Sequence, residues 1–501
     1  MMLTERYGRM DLSQLALNES NLPFPPASNR EAWESLPVES RRFWIEEAEQ
    51  AAAAEWPALA ASRHLAAKRI GSLAMVSDPV FDRRTLLGKL VLGECAEGRG
   101  RFLEKIVDGI ISVSEETVWG SGPREPGEWL PEPEDQDVDL ISAETAALFA
   151  WTSYLLKERL DELSPRIVKR MAEEVRRRVL RPYLERDDYW WMGFRPGVRV
   201  NNWNPWCNTN VLASFLLFEP DGDVRERGIR KIFRSMDVFI DTHPQDGCCD
   251  EGPMYWEHSG GQLFDILDLL HRASGGRIDP FGERIVRDIG AYIYKVHIDD
   301  DYYVNFADSD ARMIHYPDVL FGYGERIGDE KLMRFGASVP LRLRNHPYWF
   351  HLYRYARELF QRRRRSSVEA APPYVRDAWF EHTQVMTARA REGSREGLFL
   401  AAKGGHNAES HSHNDIGNFI VYADGLPVLI DFGTEEYRVQ TFSPNRFDIW
   451  VLQSSWHNLP TVRGVQQRDG KAFAAARDAA YRCTDELAEL VLDIAGAYPP
   501  E

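Results

Sequence analysis

Three histidines stand within eight positions of one short stretch. His406, His411 and His413 all lie inside Gly404–Asp431, in a chain that has 13 histidines. The dipeptide Asp424-Gly425 follows them between two apolar runs, which is the pattern of a β-hairpin with a two-residue turn. Imidazoles beside such strands can bind a metal ion, exchange a proton, or divide these tasks. The alternative is a polar loop with solvated histidines.

A second stretch, residues 201–208, holds four asparagines and two tryptophans at the start of a predicted helix. Asn offers amide donors and a carbonyl acceptor without charge. It can therefore hydrogen-bond a substrate carboxylate, and an indole face can hold a sugar ring. The same residues could instead cap the helix and turn the chain around core tryptophans.

A third stretch, Asp246–Gly261, joins two helical segments and brings Glu251, Tyr255 and His258 into one loop or helix start. A tyrosine phenol can act as general acid or base when nearby cations or hydrogen bonds lower its pKa. A Tyr-Trp pair such as the one here also occurs in ordinary packing. The stretch indicates proton transfer only in combination with other groups.

His413, Asp431 and His457 form a set of nitrogen and oxygen donors near predicted strand ends. Such a mixed set suits zinc. His-x-His alone is a weak signal, and the two further groups strengthen it. We therefore expect a zinc site in the C-terminal part of the chain.

The composition excludes several classes of protein. Hydrophobic residues make up 44% and charged residues 28% of the 501 residues, as in soluble globular proteins with more than one domain. A formal charge of -17 argues against nucleic acid and anionic membranes as partners, and an anionic substrate would need a locally basic cleft. Five cysteines without a Cys-x-x-Cys pair, and an N-terminus without an apolar run, predict a cytoplasmic protein without a disulfide framework.

The pattern of the chain changes near residue 370. An arginine run in Gln361–Ser367 and the pair Pro372-Pro373 indicate a solvated linker, with a basic strip that contacts an anionic ligand as the alternative. We predict a helical domain over 1–370 and an antiparallel β domain over 371–501. Because the β domain has few strands, we expect it to continue beyond residue 501. The predicted helices are Arg30–Lys68, Ala143–Lys157, Ser164–Arg186, Asp223–Asp241, Gly261–Ala273, Phe281–Val296 and Asp329–Ala337, and the predicted strands are Thr383–Ala390, Gly397–Lys403, Asn418–Tyr422, Pro427–Asp431 and Leu487–Ile494.

Five motifs together resemble the heparinase II/III group of polysaccharide lyases, which includes related alginate lyases. They match in order and approximate spacing, and their joint occurrence is more specific than any one of them. The resemblance extends from about residue 30 to the C-terminus. The motifs are Asn201-Asn202-Trp203-Asn204-Pro205-Trp206, Glu251-Gly252-Pro253-Met254-Tyr255-Trp256, the run from His411 to Phe419, Ile430-Asp431-Phe432-Gly433 and Ser454-Ser455-Trp456-His457-Asn458.

The resemblance implies an incomplete α/α toroid followed by an antiparallel β-sandwich, in agreement with the two domains predicted above. It also implies β-elimination at a uronic acid residue, without a redox cofactor. The partner is then an anionic oligosaccharide or polysaccharide that contains uronate, with the glycosaminoglycan type favoured over the alginate type. A structural zinc ion is the implied cofactor, and a homodimer is left open.

The resemblance assigns roles to residues. Asn202 matches the residue that neutralises the substrate carboxylate, with Asn201 as the alternative, and Tyr255 and His411 match the proton-transfer pair. Trp203 stands where relatives place a histidine, which leaves open the uronate epimer that the chain handles. The implied zinc ligands are His413, Asp431 and His457. The candidate substrate-binding residues are Asn201, Trp203, Trp206, Glu251 and Arg312, with Arg195, Arg199, Arg438 and Arg446 as further basic candidates.

These roles separate His411 from His413, although residues two apart in a regular strand share a face. We therefore predict that the segment between them is an irregular loop, which ends where the strand near Asn418 begins.

Two rival functions are distinguishable from a lyase. One is inverting glycoside hydrolysis on an α/α toroid, with Asp250 or Glu251 as the acid. The other is glycan binding without catalysis. A lyase creates a C4–C5 double bond conjugated with the carboxylate, so ultraviolet absorbance rises during cleavage, whereas neither rival produces this signal.

Overall fold

A computed structural model describes residues 2–120, 130–134, 136–340, 350–475 and 479–500. The chain divides into two compact units. The first unit comprises Met1–Asp241, Asp265–Asp279 and Leu343–Arg364, and the second comprises Thr242–Phe264, Pro280–Arg342 and Arg365–Glu501. The boundary that the sequence predicts between residues 370 and 371 stays a prediction.

Helices dominate the chain before residue 366. From the N-terminus they are α1 Met2–Tyr7, α2 Arg30–Glu34, α3 Val38–Ala53, α4 Ala61–Ile70, α5 Ala74–Glu97, α6 Leu103–Ser114, α7 Leu140–Leu163, α8 Pro165–Val175, α9 Arg181–Glu185, α10 Trp203–Phe218 and α11 Gly222–Thr242. They continue with α12 Pro253–Trp256, α13 Gly260–Ala273, α14 Arg284–Lys295, α15 Pro317–Ile327, α16 Glu330–Ser338 and α17 Leu352–Arg365.

Local sequence determines where these helices begin and end. The long helix predicted over Arg30–Lys68 is observed as α2, α3 and α4, because Pro37 and Pro57 cannot continue a helix. Asp139 precedes α7 and forms a capping box with Ser142, in which each side chain bonds the other residue's backbone N–H.

The arginines of 362–365 do not form the solvated linker that the sequence predicts. They complete the last turn of α17, where positive charge is favourable because the helix C-terminus carries partial negative charge. Arg365 is buried. The apolar residues that precede the run continue the helical pattern, and this extends the helix through the charged residues.

A buried ion-pair cluster joins distant segments of the first unit. Asp265 accepts hydrogen bonds from Arg354 at 2.6 Å and Arg357 at 2.7 Å, with all three side chains at most 3% exposed. We expect Asp265→Ala to lower the free energy of unfolding by about 3 kcal/mol, because two buried guanidinium groups lose this carboxylate. Denaturant unfolding measures the loss. Asp161→Ala breaks a more exposed pair with Lys157 and should cost under about 1 kcal/mol; equal costs for the two variants would contradict the prediction.

The second unit contains an antiparallel sheet. In chain order the strands are β1 His297–Asp299, β2 Tyr302–Tyr303, β3 Asp377–Phe380, β4 Val385–Arg389, β5 Leu398–Lys403, β6 His406–Asn407, β7 Phe419–Ala423, β8 Leu426–Leu429, β9 Gly470–Ala474, β10 Ala480–Cys483 and β11 Ala488–Val491. Strands β3, β4, β5, β7 and β8 form a five-stranded sheet in that order, and shorter ladders pair β1 with β2, β6 with β9, and β10 with β11. The five predicted strands are confirmed as β4, β5, β7, β8 and β11.

The predicted hairpin joins β7 to β8 through Asp424 and Gly425. Their φ angles are 53° and 81°, as a primed two-residue turn requires. Ile420 and Tyr422 of β7 are buried, whereas all of β8, at the edge of the sheet, is exposed. The hairpin follows the loop that carries His411 and His413, whereas His406 lies in β6.

All five cysteines are free thiols. Burial raises the pKa of Cys95, Cys207, Cys248 and Cys249, so these thiols stay protonated. Within the described ranges, no helix combines the length and the apolar character that crossing a bilayer requires.

Candidate active site

Asp308 is the centre of a buried cluster in the second unit. Its Oδ2 accepts a hydrogen bond from Nδ1 of His411 at 2.7 Å, and its Oδ1 accepts one from Nε2 of His413 at 2.9 Å. A carboxylate only accepts hydrogen bonds, so each of these two ring nitrogens carries a proton. Neutral His411 therefore has its lone pair on Nε2, and neutral His413 has its lone pair on Nδ1.

Two further side chains bond the Asp308 carboxylate. Nη2 of Arg446 lies 2.9 Å from both oxygens, and the Tyr437 hydroxyl donates to Oδ2 at 2.8 Å. Burial works to raise the pKa of Asp308, but hydrogen bonds from His411 and His413 outweigh it and hold that pKa well below its ordinary value. Asp308 is thus a fixed negative charge that orients its donors.

Tyr255 lies in the same cluster. Its ring stacks on the imidazole of His411, with centroids 4.2 Å apart and planes inclined by 23°, and its hydroxyl lies 2.6 Å from that of Tyr437. Burial, followed by the negative charge of Asp308, raises the pKa of Tyr255. The phenol is therefore protonated at neutral pH, which suits a proton donor and is the opposite of the lowering that base catalysis would need.

Glu251 is also brought to His411. It is 2% exposed, and its Oε2 lies 3.4 Å from Nε2 of His411. The sequence predicts a substrate-binding role for Glu251. The structure places its carboxylate where it would stabilise a positive charge on the His411 imidazole.

The loop that carries His411 and His413 has the irregular backbone that the sequence predicts. His411 has a φ of 56°, a conformation that residues other than Gly, Asn and Asp seldom adopt. Residues 408–418 contain turns and bends, and β7 begins only at Phe419. This backbone lets both histidines reach the two oxygens of one carboxylate.

Arg312, a predicted substrate-binding residue, makes a different contact. It is exposed, and its Nε pairs with Asp301 at 2.7 Å. Arg446, one of the further basic candidates, is the arginine that the structure brings to the histidines.

Asn202 belongs to the first unit, at the N-cap of α10, and is 1% exposed. Its side chain makes no capping hydrogen bond, although capping is the alternative explanation for asparagines at this point. Asn201 has a local role of that kind, since its Oδ1 accepts from the backbone N–H of Trp203 at 3.1 Å.

The later asparagines of the motif stabilise the fold. The amide of Asn204 donates to the backbone carbonyls of Trp191 and Ser235 at 2.8 and 3.1 Å. Asn208 donates to the carbonyl of Asn204 and accepts from the Tyr183 hydroxyl, both at 2.8 Å. These bonds fasten the first turns of α10 to neighbouring segments of the first unit.

The two tryptophans of the motif differ in exposure. Trp206 is 2% exposed, and its indole N–H donates to Glu144; such burial does not favour the predicted contact with a sugar ring. Trp203 is partly exposed and lies beside Trp190, with ring centroids 5.3 Å apart. Trp203 is therefore the tryptophan of this motif that keeps an accessible face.

The predicted zinc ligands His413, Asp431 and His457 are all buried in the second unit. Oδ2 of Asp431 lies 2.7 Å from Nδ1 of His457, and the two imidazole rings have centroids 5.3 Å apart. Across the residues that the structure describes, no group of three or more His, Cys, Asp or Glu side chains is arranged to hold a metal ion as it stands.

The donor atoms nevertheless fit zinc in kind. Nδ1 of His413 and Nε2 of His457 are buried without a hydrogen-bond partner in the described part of the chain. The other nitrogen of each ring contacts a carboxylate, Asp308 for His413 and Asp431 for His457. Carboxylates commonly orient metal-binding histidines in this way. His413 and His457 would therefore hold the ion, with Asp431 placed to orient His457.

Sequence reasoning missed Asp308 and Tyr437. Asp308 lies 103 positions before His411, so no local spacing connects the two. The available signals were weak. Asp308 follows the apolar run that ends at Phe306, and Tyr437 is an aromatic residue within a polar segment.

A family model described as "Heparinase II/III-like, C-terminal" matches residues 375–500, the span that contains the five-stranded sheet, both histidines of the cluster, Tyr437 and Arg446. Residues 375–500 are therefore similar to the C-terminal domain of heparinase II/III-like proteins. A comparison with curated proteins finds no match.

Solved structures have folds similar to that of this chain. Heparinase III gives a TM-score of 0.56 at 11% identity, over 84% of this chain and 60% of that one. A second heparinase III structure gives 0.55 at 13% identity, over 94% and 68%, and a mutant heparan sulfate lyase from Pedobacter heparinus gives 0.50 at 13%, over 90% and 69%. The chain thus spans 60% of the length of the first of these proteins. The predicted fold class, a helical toroid region followed by an antiparallel β-sandwich region, is confirmed.

Proposed function

We propose that this chain is a polysaccharide lyase that cleaves uronate-containing glycans by β-elimination. The observation that carries the proposal is the stacked pair of Tyr255 and His411, a protonated phenol against an imidazole whose Nδ1 is held by Asp308. The similarity in fold to heparinase III and to a heparan sulfate lyase supports this reaction class.

β-Elimination at a uronate has three requirements. The carboxylate charge must be offset before the weakly acidic C5 proton can leave. A base must take that proton while its bonding electrons form the C4–C5 double bond. An acid must protonate the C4 oxygen, which departs with the electrons of the C4–O bond. No water is consumed.

The second unit supplies the two proton-transfer groups. Nε2 of His411 takes the C5 proton, and Glu251, 3.4 Å away, stabilises the imidazolium that results. Tyr255, kept protonated by burial and by the charge of Asp308, donates its proton to the C4 oxygen. Asp308 fixes the tautomer and the orientation of His411 through both steps.

Asn202 is proposed to offset the substrate carboxylate, on the strength of its motif and of a buried amide that does not cap α10. We expect Asn202→Asp to lower kcat/KM by about 10²-fold, because a carboxylate would face the substrate carboxylate in place of an amide donor. Initial rates on one uronate oligosaccharide measure the effect. Asn201→Asp is the matched variant and should retain most of the activity; the reverse order would assign the role to Asn201.

Ultraviolet absorbance tests the reaction itself. Incubation with uronate oligosaccharides of heparan, chondroitin or hyaluronan, and alginate type should raise the absorbance as new unsaturated chain ends form, most strongly for a glycosaminoglycan type. Chain shortening without a rise in absorbance would establish hydrolysis instead. Binding without shortening would establish a glycan-binding protein.

A bound zinc ion is a further expectation. Zinc would brace the loop of His413 and the segment of His457, and it is assigned no step in the reaction. Elemental analysis should find about one zinc per chain, and His413→Ala should lower the thermal midpoint and the zinc content together. His406→Ala, in the same stretch, should change neither. Well-folded protein that contains no zinc would contradict the assignment.

A further inference from the structure

Trp190 and Trp203 form an aromatic pair at the surface of the first unit. Their centroids are 5.3 Å apart and their planes are inclined by 47°. Trp190 is 40% exposed, and Trp456 is the other exposed tryptophan among the residues that the structure describes. Since burial of apolar area is favourable, paired indoles that stay accessible mark a candidate contact surface for a ligand.

A buried polar framework fixes the pair. Trp190 begins the short 3-10 helix Trp190–Met192, and Trp203 begins α10. Asn204 donates to the carbonyl of Trp191 at 2.8 Å and to the hydroxyl of Ser235 at 3.0 Å, and that hydroxyl bonds the Met192 carbonyl at 3.1 Å. The two backbone segments that carry the indoles are thus tied together, so that a ligand would find a preorganised surface.

The residues beside Trp190 leave its turn little freedom. Trp191 is 1% exposed, and its indole N–H donates to the carbonyl of Val138 at 2.9 Å. Gly193 has a φ of 75°, and a Cβ there would lie 2.5 Å from Val238. The packing of Trp191 therefore holds Trp190 in its exposed position. Trp190 does not lie in a loosely packed surface loop.

Arginines lie in and against the segment that connects the two tryptophans. Arg195 and Arg199 are exposed within it, and the exposed Arg234 lies 4.6 Å from the ring centroid of Phe194. The nearby carboxylates Asp187 and Asp188 are paired with Lys231 and Arg186 respectively. This local charge is opposite in sign to the formal charge of -17 on the whole chain, and it complements an anionic ligand.

We propose that Trp190 and Trp203 form a subsite for one acidic pyranose ring of the substrate. The apolar face of the ring stacks on indole, and Arg195 and Arg199 meet its carboxylate or sulfate. The chemistry combines a flat hydrocarbon face with an anionic edge, as an acidic sugar does. That this ligand is the substrate of a lyase rests on the proposed function. The existence of a subsite for an acidic sugar does not depend on that function.

Titration calorimetry with heparan sulfate hexasaccharides tests the subsite. The full chain carries Tyr255→Phe, which prevents turnover during the titration. Adding Trp190→Ala should weaken binding about tenfold, which corresponds to 1.4 kcal/mol, and Trp190→Phe should restore most of the affinity. Leu163→Ala, which alters another exposed apolar side chain of the first unit, should leave affinity unchanged. With otherwise unaltered enzyme, Trp190→Ala should raise KM for the hexasaccharide more than it lowers kcat.

The outcomes separate the subsite from the reaction. If the unmutated chain cleaves the hexasaccharide and Trp190→Ala leaves the affinity unchanged, the subsite is wrong and the lyase function is supported. Binding that Trp190→Ala weakens, without any cleavage by the unmutated chain, overturns the lyase and supports the subsite. Equal weakening for a neutral maltohexaose overturns the acidic specificity. Should Trp190→Ala fail to fold, Trp190→Leu removes the flat ring at similar bulk and decides the same question.

Discussion

Tyr255→Phe should lower kcat for uronate cleavage by about 10³-fold and leave KM nearly unchanged. The exchange removes one hydroxyl group and keeps the ring that stacks on His411 at 4.2 Å, so the imidazole stays oriented. In the proposed reaction, the hydroxyl that is removed supplies the proton that the C4 oxygen receives. The absorbance assay measures kcat and KM directly on a single oligosaccharide.

Tyr294→Phe is the matched control for this loss of a hydroxyl. The Tyr294 hydroxyl also makes a partly buried contact in the second unit, donating to Asp329 at 3.1 Å. Its loss should cost about 1 kcal/mol of stability and leave turnover unchanged. If Tyr255→Phe retained turnover while the control behaved as expected, the phenol of Tyr255 would not be the acid, and Tyr437, whose hydroxyl is 2.6 Å away, would become the candidate.

Asp308→Ala should lower both turnover and stability. Without the Asp308 carboxylate, Nδ1 of His411 loses its hydrogen-bond acceptor, so the imidazole is no longer held in a single tautomer. We therefore expect kcat to fall by about 10³-fold, as in catalytic triads that lose the carboxylate that orients their histidine. The partly buried guanidinium of Arg446 and the buried ring of His413 also lose their bonds to this carboxylate. The free energy of unfolding should therefore fall by about 3–5 kcal/mol, measured by denaturant unfolding beside the kinetic assay.

Two further variants separate orientation from charge. Asp310→Ala removes an exposed carboxylate two positions on and should have little effect on either quantity. Asp308→Asn keeps the shape of the side chain but presents an amide to four hydrogen-bond donors, so it should lose turnover nearly as completely as the alanine variant. Normal turnover by Asp308→Asn in stable protein would contradict the orienting role.

Much of the fold follows from local patterns in the sequence. The hairpin at Asp424-Gly425 was predictable because a primed turn demands two residues that tolerate positive φ. The order of a helical region before a β region was predictable from periodicity. The prediction of a linker at the arginine run before Ser366 is wrong, because a charge run predicts solvent exposure but carries no information about the helix that precedes it.

The candidate site was predictable only where its residues fall within motifs. Tyr255, His411 and Glu251 lie in two of the quoted motifs, and the structure brings all three together. The division of labour proposed for Tyr255 and His411 was not predictable, since it rests on the burial that raises the pKa of Tyr255 and on the tautomer of His411.

Asp308 was out of reach of sequence reasoning for a physical reason. Its role arises from one long-range contact set, in which His411, His413, Tyr437 and Arg446 converge on it from a segment more than a hundred positions away. The apolar residues before Asp308 are too weak a signal to distinguish it from an ordinary loop aspartate. Only the folded structure of the second unit shows that this carboxylate binds both histidines.

The left-handed backbone at His411 governs which sequences position 411 can tolerate. At a φ of 56°, Asn, Asp and Gly are accommodated with little strain, whereas β-branched residues are strongly disfavoured. Substitution to Val or Ile would therefore distort the loop and displace His413 as well. Asn keeps the backbone while removing the imidazole. The backbone conformation at position 411 therefore limits which residues can replace His411, independently of any role of the imidazole.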